Sequence, residues 1–345
     1  MAQNRILVVR LGSMGDILHA LPAVNLMRRT WPESVIEWAV HPKWAGLFEG
    51  NPLDVRPIYV DRKSAASRRE AFGRLRAQRY EFVVDFQGLI QSAIVSRVAR
   101  RKAVYGFHRG LVREWLASWF YSHALNTSAP HVVDRNMGLA IAAGAHPGPA
   151  EFPLPEGRRE GELPERFVLA APLAGWTSKQ WPLENYSPLA RRLKVECGLS
   201  LVLNGAPNAD APLRSVAGAW VHVSGIAGLI DATRRATAVI GLDSGPMHLA
   251  AALGKPGVAL FGPTDPARNG PYGESLNVLR HASAKTSYRR GSVIDPALRA
   301  LTPDVVAAAL IQSLQQAERV RLEAACKPVC EQSCARSGAP GEPLH

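Results

Sequence analysis

Residues 5–29 read RILVVRLGSMGDILHALPAVNLMRR, a short apolar run that leads through a glycine-containing turn into a longer stretch with apolar residues at helical spacing. The β-branched run Arg5–Val9 predicts a strand. The stretch Ile17–Arg29 predicts a helix, because its apolar residues recur every three or four positions. A strand followed directly by a helix is the first half of a parallel βαβ unit.

The same alternation continues along the whole chain. Up to residue 150 the predicted strands are Val35–Val40, Val55–Val60, Glu81–Asp85 and Ala103–Gly106, and the predicted helices are Ala65–Gln78 and Leu89–Val98. Beyond it the predicted strands are Phe167–Ala171, Leu199–Leu203, Trp220–Val223, Ala238–Leu242 and Val258–Phe261, and the predicted helices are Leu183–Val195, Ile226–Ala236, Pro246–Leu253 and Pro303–Gln316. We therefore predict an α/β protein of two Rossmann-like, doubly wound domains whose strands end at a shared central cleft.

The length of 345 residues also favours two domains. Residues 145–157 contain four prolines and two glycines, a density that stops regular structure. We predict a first domain over 1–150, a linker over 151–166, a second domain over 167–302, a helix over 303–320 and a disordered tail over 321–345. Cys326, Cys330 and Cys334 in that tail have the spacing of one helix face, which suits either a soft metal or an exposed tail.

Composition sets the broad class of the protein. An apolar fraction of 47% with 20% charged residues is typical of a globular chain and excludes a largely disordered one. No apolar run reaches the ~18 residues that a membrane-spanning helix needs. The N-terminal apolar stretch is too short for a signal peptide, so we expect the chain to stay in the cytosol.

The net charge of +12 predicts an anionic partner such as a phosphorylated ligand, a membrane surface or a nucleic acid. The first 160 residues hold 22 basic and 14 acidic side chains, so most of the excess lies there. Much of it falls on residues 62–79, including Arg62, Lys63, Arg68 and Arg69, with a second cluster over 97–102. A basic helix can simply be a solvated face. Nucleic acid is disfavoured because the stretch 62–79 contains one aromatic residue, Phe72.

The turn after the first strand, RLGSMGD over residues 10–16, matches neither a dinucleotide nor a P-loop motif. Gly12 and Gly15 permit close approach of the backbone. Asp16 is predicted at the helix N-cap, where it is either a simple cap or a carboxylate that faces the cleft.

Three further motifs follow strands of the second domain. In GLDSGPMHLAAA, residues 241–252, a helix start near Pro246 is either an anion site with Ser244 as an added donor or an ordinary cap. Asp243 at the strand tip could accept hydrogen bonds from sugar hydroxyls, and His248 either faces phosphates or is packed. FGPTDP at 261–266 predicts a fixed loop, and PLAGWTSKQWP at 172–182 places Lys179 where it could pair with a diphosphate.

Together these motifs resemble glycosyltransferase family 9, the ADP-heptose:lipopolysaccharide heptosyltransferases, over residues 5 to about 320. The resemblance is greatest to the branch that adds the first heptose to a Kdo sugar, and REWLAS at 113–118 and HVVDR at 131–135 also resemble that branch. The resemblance to the family rests on five motifs that occur in this order along the chain, namely Gly12–Pro22, Asp85–Leu89, Ser178–Pro182, Asp243–Ala252 and Phe261–Pro266.

The resemblance implies a GT-B fold and an inverting enzyme that uses no metal or other cofactor, with ADP-heptose as its substrate. Asp16 would be the general base. Donor-binding residues would be Lys179, Thr177, Ser178, Asp243, Ser244, Gly245, Pro246, Met247, His248 and Asp210. Acceptor-binding residues for a Kdo-bearing lipid A precursor would be Ser13, Gly15, Arg62, Lys63, Arg68, Arg69, Gln87, Arg113 and His131.

The chain departs from the family pattern at two loops. The acidic residue expected after Gly205-Ala206-Pro207, which binds the nucleotide ribose in the family, falls on Ala209, so Asp210 beside it is the candidate. Thr177, in the loop that contains Lys179, also differs from the position that threonine usually has in the family.

The implied location is peripheral, at the cytoplasmic face of the bacterial inner membrane. The alternatives are a heptosyltransferase II-like member of the same family, a GT-B sugar-nucleotide epimerase and, more distantly, a basic nucleic-acid-binding protein.

Overall fold

The computed structural model describes residues 4–334, with side chains as far as residue 323. It contains two six-stranded sheets, and every strand pair within them is parallel. The strands of the first sheet are β1 (Arg5–Val9), β2 (Val35–Val40), β3 (Arg56–Tyr59), β4 (Arg79–Asp85), β5 (Arg100–Phe107) and β6 (His123–Leu125). Those of the second are β7 (Phe167–Ala170), β8 (Ser200–Gly205), β9 (Ala219–Val223), β10 (Ala238–Leu242), β11 (Gly257–Phe261) and β12 (Leu276–Arg280).

Helices connect these strands. In the first half they are α1 (Met14–Thr30), α2 (Ala65–Ala77), α3 (Ile90–Val98) and α4 (Val132–Ala142), with 3₁₀ helices at Pro42–Leu47 and Trp115–Phe120. In the second they are α5 (Tyr186–Cys197), α6 (Asp210–Arg214), α7 (Ile226–Arg235), α8 (Gly245–Ala252), α9 (Pro266–Asn269), α10 (Pro296–Arg299) and α11 (Pro303–Cys334), with 3₁₀ helices at Thr177–Lys179 and Leu183–Asn185. No helix in the described part of the chain is long and apolar enough to span a membrane.

The strand order is the same in both sheets. The first runs β3-β2-β1-β4-β5-β6, and the second, read from its other edge, runs β9-β8-β7-β10-β11-β12. In each half, successive strands are added toward one edge of the sheet up to the third strand and toward the other edge from the fourth strand on. The loops after the first and fourth strands therefore diverge and leave a crevice between them. The predicted pair of Rossmann-like domains is confirmed.

Helices cover both faces of the sheets, which explains why inner strands such as β7, β10 and β11 contain no polar side chain. Side chains of β1 alternate between the faces: Ile6 and Val8 pack with α1 and α4, whereas Leu7 and Val9 pack with α2 and α3. In the second sheet α5 and α11 cover one face, and α7 and α8 cover the other. The cluster under α7 and α8 is continuous with the one under α1, so a single apolar core crosses between the two halves.

The connection between the halves is irregular but fixed. Residues 145–166 form neither helix nor strand. Leu154 is buried, and the Arg234 guanidinium donates to the carbonyl oxygens of Leu154 and Pro155 at 2.9 Å. Asn25 donates to Glu151 Oε2 at 2.9 Å from the opposite side. The segment is therefore tied to both halves.

The C-terminal helix is longer than predicted. The sequence predicts a helix that ends at residue 320 and disorder beyond it, whereas α11 continues to Cys334. Leu322, Glu323, Ala324 and Ala325 are all strong helix formers, so propensity carries the helix through the stretch taken as a tail. Residues 335–345 and the side chains of Cys326, Cys330 and Cys334 lie outside the described residues.

Candidate active site

A cavity of about 230 Å³ lies at the strand-order reversal of the first sheet. The loop after β1 contributes Arg10 and Gly12, and the start of α1 contributes Asp16. The rest of its wall comes from the loop after β4, the segment 107–113, α4 and α9, including Phe86, Gln87, Leu89, Phe107, Leu111, Val112, Arg113, Val132, Arg135, Asn136, Arg268 and Asn269. Since α9 belongs to the second half, the cavity is closed by both halves of the molecule.

Asp16 lies in this cavity as the third residue of α1. The prediction that it is the N-cap is wrong, because the helix begins at Met14 and Ser13 is the cap. The Asp16 carboxylate accepts the Ser13 backbone N–H at 2.8 Å and the Ser13 hydroxyl at 2.9 Å. Its other oxygen is 2.5 Å from the Arg10 guanidinium. The Asp16 side chain remains 38% exposed, so a ligand can reach it.

These contacts keep Asp16 ionised. Burial of the carboxyl raises its pKa, but the Arg10 guanidinium and the Ser13 hydrogen bonds lower it by more, so the pKa of Asp16 lies below its ordinary value. At neutral pH the cavity therefore holds an accessible carboxylate that can accept a proton.

Four arginines line the same cavity, and each comes from a different segment. They are Arg10 after β1, Arg113 after β5, Arg135 in α4 and Arg268 in α9. Burial and the nearby Arg268 lower the pKa of Arg135, so these two cations are held close together across the two halves. Guanidinium groups pair with carboxylates and phosphates through two parallel hydrogen bonds. Only Asp16 among the lining residues carries a negative charge, so the cavity favours an acidic ligand.

The loop after β4 is held by a buried carboxylate. Asp85 is completely buried and accepts from the Ser92 hydroxyl at 2.7 Å, the Tyr121 hydroxyl at 2.9 Å, and the backbone N–H groups of Gln87 and Gly88 at 2.8 and 3.3 Å. Burial raises the pKa of Asp85 despite these donors. Gln87 in turn accepts the Leu11 N–H at 2.7 Å, which joins the loop after β4 to the loop after β1.

Replacement of Asp85 by alanine should destabilise the fold by about 2–4 kcal/mol, because it leaves buried donors without an acceptor. Asp85→Asn keeps one acceptor oxygen and should cost less. Urea denaturation of the two variants and the wild type measures both losses. A loss below about 0.5 kcal/mol for Asp85→Ala, the size of an ordinary surface change, would contradict this structural role.

At the corresponding edge of the second sheet, Lys179 and Asp243 form a buried ion pair. Lys179 Nζ is 2.5 Å from Asp243 Oδ2, and the Thr264 hydroxyl donates to the same oxygen at 2.5 Å. The Lys179 ammonium also lies 4.5 Å above the Trp176 ring. These residues follow β7, β10 and β11, so they meet at the strand-order reversal of this half. Asp243, expected to hold sugar hydroxyls, is engaged with Lys179 and Thr264.

Helix α8 points its N-terminus at α1. A Cβ atom at Gly245 would lie 2.7 Å from Met14 Sδ, and one at Gly15 would lie 2.4 Å from His248 Cδ2. The two helix starts thus touch across the boundary because each has a glycine at the contact. Ser244 is the N-cap of α8 and Pro246 is in its first turn. Met247, predicted to bind donor, has its side chain completely buried in the apolar core.

Three histidines meet beside this contact. His248 Nδ1 and His19 Nε2 are 3.0 Å apart, so one nitrogen donates to the other, and the His19 and His131 rings contact edge to face. Burial lowers the pKa of His248 to about 4 and holds the pKa of His19 well below its ordinary value. The rings are neutral at neutral pH, which favours the packed alternative for His248. His131 Nε2 lies 3.2 Å from the Gly270 carbonyl oxygen and joins α4 to the second half.

The remaining predicted residues lie outside the cavity wall. Thr177 is exposed, whereas Ser178 is buried, and its hydroxyl has no hydrogen-bond partner within the described residues. Asp210 pairs with Arg214 at 2.6 Å in α6. Arg62 and Lys63 precede α2, and Arg68 and Arg69 lie within it, so the structure puts these four on a surface helix and its entry loop. Among residues 4–323, no three His, Cys, Asp or Glu side chains are grouped to hold a metal ion.

Comparison with known proteins agrees with this architecture. A family model described as glycosyltransferase family 9 (heptosyltransferase) matches residues 68–297, more than half of the chain. The chain belongs to glycosyltransferase family 9. This family 9 chain is 33% identical over 298 residues to lipopolysaccharide heptosyltransferase 1 of Pseudomonas aeruginosa, a match that covers 79% of the chain and 82% of the relative.

Solved structures of a family 9 relative share the fold. The E. coli heptosyltransferase WaaC with ADP has a TM-score of 0.73 and 27% identity, and the match covers 88% of this chain and 98% of WaaC. WaaC with ADP-2-deoxy-2-fluoro heptose has a TM-score of 0.71 and 25% identity, with the same coverage of 88% and 98%. The family 9 chain is therefore a glycosyltransferase with the predicted GT-B fold.

Three arginines of the cavity wall were not predicted from the sequence. Arg10, Arg135 and Arg268 line the cavity but were not among the candidates. Each lies within or just beyond a motif that was recognised, since Arg10 precedes Gly12, Arg135 ends HVVDR and Arg268 follows FGPTDP. The excess of arginine next to the motif loops was the signal that could have indicated them. That these arginines meet in one cavity depends on the three-dimensional fold.

Proposed function

We propose that this family 9 glycosyltransferase transfers heptose from ADP-heptose to a Kdo sugar of the lipopolysaccharide inner core. The observation that carries the proposal is Asp16, an accessible, ionised carboxylate in a cavity lined by four arginines. Such a cavity suits an acceptor that is itself acidic, and a Kdo sugar bears a carboxylate. The heptosyltransferase names of the relatives support the donor and the pathway.

In the proposed reaction Asp16 acts as general base. It takes the proton from the acceptor hydroxyl as that oxygen attacks the anomeric carbon of the heptose. The bond between that carbon and the diphosphate oxygen breaks, and its electron pair leaves with ADP. Attack from the face opposite ADP inverts the anomeric configuration. Arg10 and Ser13 hold the carboxylate ionised and aimed into the cavity.

The donor would occupy the edge of the second sheet. The Lys179 ammonium and the N-terminus of α8 supply positive charge for the leaving diphosphate. A diphosphate would compete with Asp243 for Lys179, which would free the Asp243 carboxylate for heptose hydroxyls. Further donor contacts are proposed for Ser244, Gly245, Pro246, Met247, His248, Thr177 and Ser178, and Asp210 is proposed for the ribose. Fixed cations of this kind let us propose that the reaction needs no metal.

The acceptor would enter from the first half. Arg113, Arg135 and Arg268 are proposed to bind its carboxylate, and Ser13, Gly15, Gln87 and His131 are proposed as further acceptor contacts. The basic residues Arg62, Lys63, Arg68 and Arg69 are proposed to meet the phosphates of the lipid A part or of an anionic membrane surface. The enzyme would then work as a peripheral protein at the cytoplasmic face of the inner membrane.

Calorimetry with a panel of sugar nucleotides tests the donor assignment. ADP-heptose should bind at least about tenfold more tightly than GDP- or UDP-sugars, because the adenine and heptose contacts are lost with the others. A chelator should leave the affinity and the turnover unchanged. Tighter binding of a UDP- or GDP-sugar would overturn the donor assignment while leaving the fold and family untouched.

Reversal of charge at Arg68 and Arg69 tests the acceptor surface. The variant Arg68→Glu/Arg69→Glu should raise the KM for a lipid-linked acceptor about tenfold and leave donor affinity unchanged, because both residues lie outside the donor side. Arg191→Glu, which changes an exposed arginine of α5 in the other half, serves as the matched control. An unchanged acceptor KM would return Arg68 and Arg69 to a merely solvated helix face.

A further inference from the structure

An exposed apolar patch lies on the first half of the molecule. It consists of Ile90, Ile94, Trp115, Trp119 and Phe120, which we call the aromatic patch. Trp119 is 71% exposed and Trp115 is 54% exposed. Large apolar side chains exposed singly are ordinary, whereas a contiguous group of five on packed elements marks a binding surface.

The patch is built on two short helices that are fixed to each other. The exposed face of α3 carries Ile90, Ile94 and Arg97, which are spaced by four and three residues. The 3₁₀ helix Trp115–Phe120 packs beside it, and its preceding residue Glu114 accepts the Ile90 N–H at 2.7 Å. The Trp115 and Trp119 rings contact edge to face at 5.1 Å. The apolar surface is therefore presented without any rearrangement.

Arginines lie on or next to the segments that carry this apolar surface. Arg97 continues the exposed face of α3, and Arg113 is two residues before Trp115. The Arg62 guanidinium donates to the Gln91 side chain, which ties the basic loop before α2 to α3. Glu114, between Arg113 and Trp115, accepts the Ile90 N–H. Exposed tryptophans on segments that also contain arginines suit the interface of a bilayer, where the rings sit at headgroup level and the cations meet anionic lipid.

The patch also adjoins the cavity that contains Asp16. Leu89 lines the cavity and immediately precedes Ile90, and Arg113 lines it just before Glu114 and Trp115. Both helices that carry the patch therefore begin at the cavity rim. A bilayer that covered the patch would hold a lipid-linked sugar at the cavity mouth.

We infer that the aromatic patch inserts into the interface of an anionic bilayer and so docks the cavity against the membrane that holds the acceptor. The inference rests on the proposed function for the identity of the acceptor, but the docking itself does not. Insertion buries apolar surface, and the surrounding arginines add attraction to anionic headgroups.

Vesicle flotation of the full chain tests this docking. The wild type should bind vesicles of phosphatidylethanolamine and phosphatidylglycerol and should bind phosphatidylcholine vesicles weakly. Trp115→Ala/Trp119→Ala should lower the partition coefficient about tenfold or more. Trp220→Ala is the matched control, because Trp220 is 52% exposed on β9, the edge strand of the other half, and its loss should change nothing.

Turnover then separates docking from chemistry. The double variant should lose kcat/KM on an acceptor embedded in vesicles and keep it on a water-soluble acceptor sugar without acyl chains. Flotation uses neither donor nor acceptor, so failure of heptose transfer would overturn the proposed function without touching the docking. Undiminished flotation of the double variant would overturn the docking. The docking would also be overturned if size-exclusion chromatography showed that Trp115 and Trp119 hold a dimer together while the double variant binds vesicles as well as the wild type does.

Discussion

Replacement of Asp16 by asparagine should lower kcat by about 10²-fold or more, the usual contribution of a general base. Asparagine has nearly the same shape and keeps an oxygen for the Ser13 N–H, so the start of α1 should stay intact. Donor affinity should not change, because the donor is proposed to bind at Lys179 and α8. Pre-steady-state and steady-state turnover, together with calorimetric donor binding, separate the two effects.

The matched control is Asp295→Asn. Like Asp16, Asp295 accepts a backbone N–H at the start of a helix, since it is the N-cap of α10 and accepts the Ala297 N–H at 2.9 Å, but it lies outside the cavity wall. It should leave turnover unchanged. Near-normal kcat in Asp16→Asn would reduce Asp16 to a helix-capping residue.

Since the pKa of Asp16 is depressed, its carboxylate is lost only as the pH falls below the ordinary aspartate range. Activity should therefore show no acid limb from this group near neutral pH.

Replacement of Lys179 by methionine should lower kcat by about 10²–10³-fold, which is the loss seen when one donor to developing negative charge is removed. The physical reason is that the leaving diphosphate loses its cation at the moment the bond breaks. The KM for the donor should rise as well. Steady-state kinetics with ADP-heptose as the varied substrate measures both parameters.

The complication is that Lys179→Met leaves Asp243 as a buried, unpaired carboxylate, which destabilises a protein. The double variant Lys179→Met/Asp243→Asn removes that charge, and its amide can still accept from the Thr264 hydroxyl. It should regain thermal stability and remain inactive. Recovery of activity together with stability would show that Lys179 acts on the fold alone and not on the diphosphate.

Much of the architecture was predictable because most of the long strands and helices have a strong local pattern. Buried parallel strands such as β7 and β10 are apolar, and α1 and α7 have apolar residues at helical spacing. Elements that were missed have weak patterns. Among them, β6 is three residues long and largely exposed, β12 includes the polar Asn277 and Arg280, and α4 contains Gly138, a poor helix former.

The site was predictable in its motif loops and not in its assembly. Asp16, Lys179 and Asp243 follow strands at the carboxyl edge of a sheet, so topology alone brings them toward the cleft. The ion pair between Lys179 and Asp243 spans 64 residues, and the electrostatic repulsion between Arg135 and Arg268 acts across the two halves. Such contacts depend on how the halves dock through α1 and α8, and no local pattern encodes that docking.

The most direct test of heptose transfer is turnover of ADP-heptose by the purified full chain with and without a Kdo-bearing lipid A precursor. We predict that ADP is released only when the acceptor is present, in equal amount to a product that is heavier by one heptose and inverted at the anomeric carbon. Consumption of the donor without acceptor, as in an epimerase, would contradict it. So would transfer only to an acceptor that already carries a first heptose.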